Sequence, residues 1–112
     1  MKPTNEGSFK KLRVAFFDTN GDPFVPTSAQ WKLTDTTNVA DPAAGKLMQD
    51  WTDITPLALS VVITIPSSLN IINNDLNAYE ERTFTVKAEP GNENGQHTED
   101  VKYKVRNLHG IT

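Results

Sequence analysis

Asp18, Asn20 and Asp22 place oxygen-bearing side chains at alternate positions, the arrangement by which a loop wraps a calcium ion. An EF-hand loop starting at Asp18 would also need glycine at its sixth position and a bidentate glutamate at its twelfth. Those positions hold Pro23 and Ala29, so the expectation is a plain turn. His97 and His109 are the only histidines. A zinc enzyme needs about three protein ligands on rigid elements, and both histidines read as surface residues. Cysteine is absent, which removes thiol nucleophiles and cysteine metal sites. No Ser-His-Asp order surrounds a nucleophile elbow, and there is no phosphate loop. The pairs Glu80-Glu81 and Glu99-Asp100 are sequence neighbours, which on a strand point to opposite faces, so neither can converge on one bond. Both pairs read as solvated loop ends. The expectation is therefore no catalytic, metal or cofactor-binding residue, and a function other than catalysis.

Contact chemistry offers more. Trp31, Trp51, Tyr79 and Tyr103 could stack on the apolar face of a sugar. Trp31 alternates with Ala29 and Leu33, which assigns it to a core. Trp51, between Asp50 and Thr52, is the better candidate for an exposed contact. Tyr79 precedes a strand near the end of the chain, where a sandwich tyrosine ties a corner through its hydroxyl. The only basic cluster is Phe9-Lys10-Lys11-Leu12-Arg13, making Lys10 and Lys11 candidate partner contacts beside Trp51.

The elements that must carry these residues are strands. Leu12 to Phe16 alternates Leu12, Val14 and Phe16 against Lys11 and Arg13, the pattern of a sheet with one wet face. Asp18 to Pro23 ends it, with Phe24 and Val25 as a short edge segment. Ala29 to Asp35 alternates again, with Ala29, Trp31 and Leu33 inward; Asn38 to Lys46 is a turn region, and Leu47 to Trp51 a shorter strand. Leu57 to Ile65 is the strongest strand signal, with Leu57, Leu59, Val61, Ile63 and Ile65 on one face until Pro66. Ser67 to Ala78 is polar and suits a short helical turn. Glu81 to Ala88 puts Phe84, Val86 and Ala88 inward. Pro90 to Gly95 is a tip loop, and Asp100 to Arg106 puts Val101, Tyr103 and Val105 inward, with its outward lysines discouraging edge pairing. About seven strands, each closed by turn chemistry, predict an all-β immunoglobulin-like Greek-key sandwich, with a small barrel as the other architecture. The predicted domain covers residues 9–108, between a flexible arm over 1–8 and a tail over 109–112.

At 112 residues the chain fits one core. Its apolar share of 37% is adequate for folding, and a net charge of −3 argues against a nucleic-acid partner. The longest apolar stretch, from Leu57 to Ile65, is too short for a membrane span. Met1 to Gly7 has no apolar run behind its lysine, so no signal peptide is expected. Zero cysteines suits a reducing compartment, a bacterial surface module or a particle assembled in cytoplasm.

The order Phe16-Phe17-Asp18, Asn20-Gly21, Pro26 and Trp31-Lys32-Leu33-Thr34-Asp35 continues with Trp51-Thr52-Asp53-Ile54-Thr55-Pro56 and Ser60-Val61-Val62-Ile63-Thr64-Ile65-Pro66. It closes with Arg82-Thr83-Phe84-Thr85-Val86 and Tyr103-Lys104-Val105-Arg106-Asn107-Leu108. This pattern of turns and strand faces, spread over nearly the whole chain, resembles the small immunoglobulin-like virion proteins of tailed bacteriophages. The resemblance implies a non-enzymatic component that decorates or stabilises the capsid, or sits at the head–tail region. Its partners would be the major capsid protein or another virion protein, with multiple copies or a homo-oligomer on a particle assembled in the host cytoplasm. No family site residue carries over. The competing expectation is an adhesion module that binds host-surface carbohydrate, Trp51 first.

Overall fold

The computed structural model describes residues 3–18, 20–39, 44–74, 76–89 and 97–108. Seven strands form in order: β1 (Thr4–Asn5), β2 (Lys10–Ala15), β3 (Ser28–Asp35), β4 (Lys46–Asp53), β5 (Ser60–Ile65), β6 (Tyr79–Glu89) and β7 (His97–Arg106). One sheet has five strands in the order β1-β7-β6-β3-β4, and the other pairs β2 with β5. The chain crosses between sheets after β1, after β2, after β4 and after β5. This is an immunoglobulin-like Greek-key sandwich, as the alternation predicts. The tip loop expected over Pro90 to Gly95 and the tail over 109–112 lie outside the described residues.

Alternation explains why the sheets face each other. Each strand turns every second side chain to one side, and those side chains make the core: Leu12, Phe16, Trp31, Leu33, Ile63, Ile65, Phe84, Tyr103 and Val105 are all buried. Trp31 is in that core as expected, stacked on Phe84 with ring centroids 5.6 Å apart. Burying a large apolar side chain of this kind contributes about 1.5–3 kcal/mol.

Several details differ from the sequence reading. Over residues 4–8 the expected arm is part of the fold. Thr4 and Asn5 pair in parallel with Val105 and Arg106, Glu6 N–H donates to Arg106 O, and Gly7 N–H donates to Asn70 O. Backbone bonds hold this segment, so its side chains carry no apolar signal. The strand expected from Leu57 begins only at Ser60. Its partner β2 ends at Ala15, and the last bond between them runs from Phe16 N–H to Leu59 O. Leu57 then packs on the core while Leu59 stands exposed. The edge segment expected at Phe24 and Val25 does not form; beside it Phe17 and Pro23 make an isolated bridge. A single turn of 3-10 helix at Ser67–Leu69 meets the helical expectation for that region.

The fourth strand is longer than predicted and irregular. Its register against β3 shifts between Trp31 and Leu33 and again between Leu33 and Thr34, bulges of the kind that blunt an edge. Gly45 leads into it against β3. A Cβ there would lie 2.5 Å from the Asp35 carbonyl oxygen and 2.6 Å from Thr34 Cγ2, so only glycine allows this approach.

Candidate interaction site

The two sheets are unequal in length. At about 3.3 Å per residue, β6 and β7, with 11 and 10 residues, outrun the 6-residue strands β2 and β5. The mismatch leaves a cleft of about 560 Å³ between β2 and the β6–β7 ladder. Its walls include Val14 and Phe16 from β2 and its end, Phe84, Val86 and Ala88 from β6, and Glu99 and Val101 from β7. Val101 points inward as its alternation predicts, yet it is 39% exposed because no strand of the smaller sheet covers it.

The rim of this cleft is an unpaired strand edge. Phe16 N–H donates to Leu59 O, and every β2–β5 pair shares that register. Lys10, Leu12 and Val14 therefore turn their backbone groups toward β5, whereas Lys11, Arg13 and Ala15 turn theirs away. Among the described residues no strand meets those outward groups. The outward edge of β7 is likewise paired with β1 only at Val105 and Arg106.

The structure separates the candidate contact residues. Lys10 and Lys11 lie on β2 and line the cleft. Lys10 Nζ sits 5.8 Å from the Tyr103 ring centroid, and Lys11 Nζ sits 5.7 Å from that of exposed Phe9. Trp51 belongs to β4, the opposite margin of the larger sheet, and is half-buried. Lys87 Nζ stands 4.1 Å and Lys32 Nζ 4.9 Å from its ring centroid, on the outer face. Lys10, Lys11 and Trp51 do not form one patch.

A buried polar cluster at the other end of the sandwich went unread in the sequence. Arg82 is fully buried, and its guanidinium meets Glu80 Oε1 at 3.3 Å and Asp35 Oδ1 at 3.5 Å while donating to Ile71 O. Glu80 is 1% exposed, which corrects its reading as a solvated loop end. It accepts from Asn73 N–H, Asn74 N–H and Asn77 Nδ2 at 2.7–3.0 Å. Asp35 accepts from the Thr37 hydroxyl and from Asn73 Nδ2. The tyrosine that ties this end is also not the expected one. Tyr79 is exposed, with Lys104 beside its ring, whereas buried Tyr103 donates its hydroxyl to Asn70 Oδ1 at 2.6 Å. Asn70 in turn donates to Ser8 O. The signal for the cluster was there: Glu80 and Arg82 share the inward phase of Phe84, Val86 and Ala88.

Burial disfavours charge on both carboxyls, but it is outweighed. Hydrogen bonds from Thr37 and Asn73, with Arg82 nearby, hold Asp35 below the usual aspartate range. Donors from Asn73, Asn77 and Asn74 hold Glu80 below the glutamate range against the charge of Asp35. Burial raises the Tyr103 hydroxyl, with Arg82 opposing it. Because both carboxyl pKa values are depressed on folding, their stabilisation is complete above the unfolded range near pH 4 and is lost as pH falls through the folded values. Thermal melts from about pH 6 to about pH 2 are expected to show Tm falling below about pH 4, with a shallower fall in Glu80→Gln.

The turn at Asp18 uses its carboxylate internally. Asp18 Oδ1 accepts from Asn20 N–H at 2.9 Å and Asp22 N–H at 3.0 Å, and Gly21 takes φ of 85°. Among the described residues no three potential ligands cluster for a metal ion, and no helix is long and apolar enough to cross a membrane. Comparison with family models, curated proteins and solved structures gives no match.

Proposed function

We propose that this chain is a non-enzymatic contact module of a bacteriophage virion, decorating or stabilising the capsid through protein–protein contacts. The observation that carries this reading is the open flank of the sandwich. There, among the described residues, an unpaired β2 edge borders an apolar cleft, with exposed Phe17 in the cleft wall and exposed Phe9 just before the strand. Unpaired edges and contiguous apolar surface are costly to leave bare and mark sites of association. The resemblance to small immunoglobulin-like virion proteins supports the setting, with a neighbouring shell protein as the partner. Carbohydrate binding through Trp51 has less support, since two ammonium groups already occupy the surroundings of its ring.

Quantitative protein staining and mass spectrometry of purified particles test this reading. The chain is expected at a copy number in fixed ratio to the major capsid protein. Its absence from washed particles would overturn the virion role.

A further inference from the structure

We propose that the open edge of β2 accepts an extended segment of a partner protein in which apolar residues alternate with aspartate or glutamate, added as a third strand to the two-stranded sheet. This rests on the reading of the chain as a contact module and names what the module grips.

The backbone supplies the first part of the argument. Lys11, Arg13 and Ala15 present outward N–H and C=O groups at the two-residue repeat of a strand. An incoming strand satisfies all of them, the basis of recognition by strand addition. A small apolar molecule in the cleft would leave these groups unpaired.

The cleft supplies the second part. An added strand turns alternate side chains inward, onto Val14, Val86 and Val101, which the six-residue strands leave partly uncovered. Apolar side chains at those positions complete the core. Two-stranded sheets are marginal, and a third strand makes one far more stable.

Charge supplies the third part and selects the partner. The side chains that alternate with the apolar ones stay on the wet face, next to Lys11 and Arg13. Of the cleft-lining residues, Lys10, Lys11 and Arg13 are basic and only Glu99 is acidic. Opposite charges across strands stabilise, whereas like charges directly opposite destabilise. Carboxylates therefore fit the incoming wet-face positions. The same rule disfavours a second copy of this chain, because joining two β2 edges would set Lys11 and Arg13 of one copy among those of the other.

The test uses the intact protein and two short fluorescent peptides, one alternating valine with glutamate and one alternating valine with lysine. Fluorescence anisotropy is expected to show saturable binding of the glutamate peptide and none of the lysine peptide. Lys11→Glu with Arg13→Glu, both on exposed positions, is expected to weaken the glutamate peptide about tenfold and to admit the lysine peptide. Ala15→Pro removes one outward N–H without touching the β5 ladder and is expected to abolish binding. Amide exchange gives a readout independent of these variants. Without peptide the Lys11, Arg13 and Ala15 amides exchange faster than those of Leu12 and Val14, and glutamate peptide is expected to slow the first three. No binding of the glutamate peptide, binding insensitive to the charge swap, or binding without protection of those amides would each overturn the proposal. Particle composition is measured separately, so failure here leaves the virion reading standing, and the reverse also holds.

Discussion

Arg82→Met is expected to destabilise the fold by about 3–5 kcal/mol and to lower Tm by more than about 10 °C, the largest effect of any polar substitution in this chain. Arg82 is fully buried and pairs with both Glu80 and Asp35, and its removal leaves these two carboxylates without the cation they share. The Ile71 carbonyl loses its donor as well. That carbonyl belongs to the segment between the 3-10 turn and β6, so the closure of this end of the sandwich loosens. Methionine nearly preserves the volume, which confines the loss to charge and hydrogen bonding. Arg82→Met combined with Glu80→Gln is expected to recover part of the loss, because one uncompensated charge is gone. Urea titration of both single variants and the double variant, closed as a thermodynamic cycle, measures this coupling. A loss under about 1 kcal/mol for Arg82→Met would show that the Tyr103–Asn70 bond closes this end by itself. The Arg82 Nε has no hydrogen-bond partner among the described residues, so the site is already less than fully satisfied before any substitution.

Phe84→Ala is expected to cost about 3–5 kcal/mol as well, through a different cause. Phe84 is 1% exposed, stacks on Trp31 and forms part of the cleft wall. Removing the ring loses transfer energy and aromatic contact, and it joins the new void to the cleft. Water can then reach Trp31 along that route. In a Trp51→Phe background, which isolates the core tryptophan, the emission of Trp31 is expected to shift to the red in the folded variant. Leu33→Ala removes an equally buried side chain that does not line the cleft, and it should destabilise without that spectral shift. A red shift in both variants would mean that the core loosens generally.

Both results depend on residues that the sequence treated unequally. The alternation of Leu12, Val14 and Phe16, or of Phe84, Val86 and Ala88, placed the strands and their inward faces because burial imposes a period of two. The first strand carries no such signal, since Thr4 and Asn5 are held by main-chain bonds to β7. Leu57 to Leu59 carried a false one: their apolar character serves packing and surface rather than a ladder, because β2 offers no partner beyond Phe16. Glu80 and Arg82 share the inward phase, yet Glu80 reads as a solvated loop end and Arg82 has no role in the pattern, because charges are seldom buried unless paired. Their partners, Asp35, Asn73 and Ile71, come from distant stretches that only the folded chain brings together. The cleft was illegible for a related reason. It arises from the difference in length between strands of two sheets, and no single strand contains that information. The alternation marks a strand only from Leu12, whereas β2 begins at Lys10, and what Lys10 and Lys11 border depends on the topology.

The pairing of β1 with β7 also sets how the domain answers to force. The two strands run parallel, near opposite ends of the described chain, and Leu108 N–H reaches back to Glu6 Oε1 at 2.8 Å. When such strands are pulled by their outer ends, the bonds between them are sheared together, and resistance grows with their number. Only two residues of β1 are in register with β7, so this clamp is short. Tension along the chain shears β1 away before it disturbs β6 or β3, and the β7 edge is uncovered at Val105 and Arg106 as it goes. A domain anchored at both ends would thus yield first at its margin and keep its core folded.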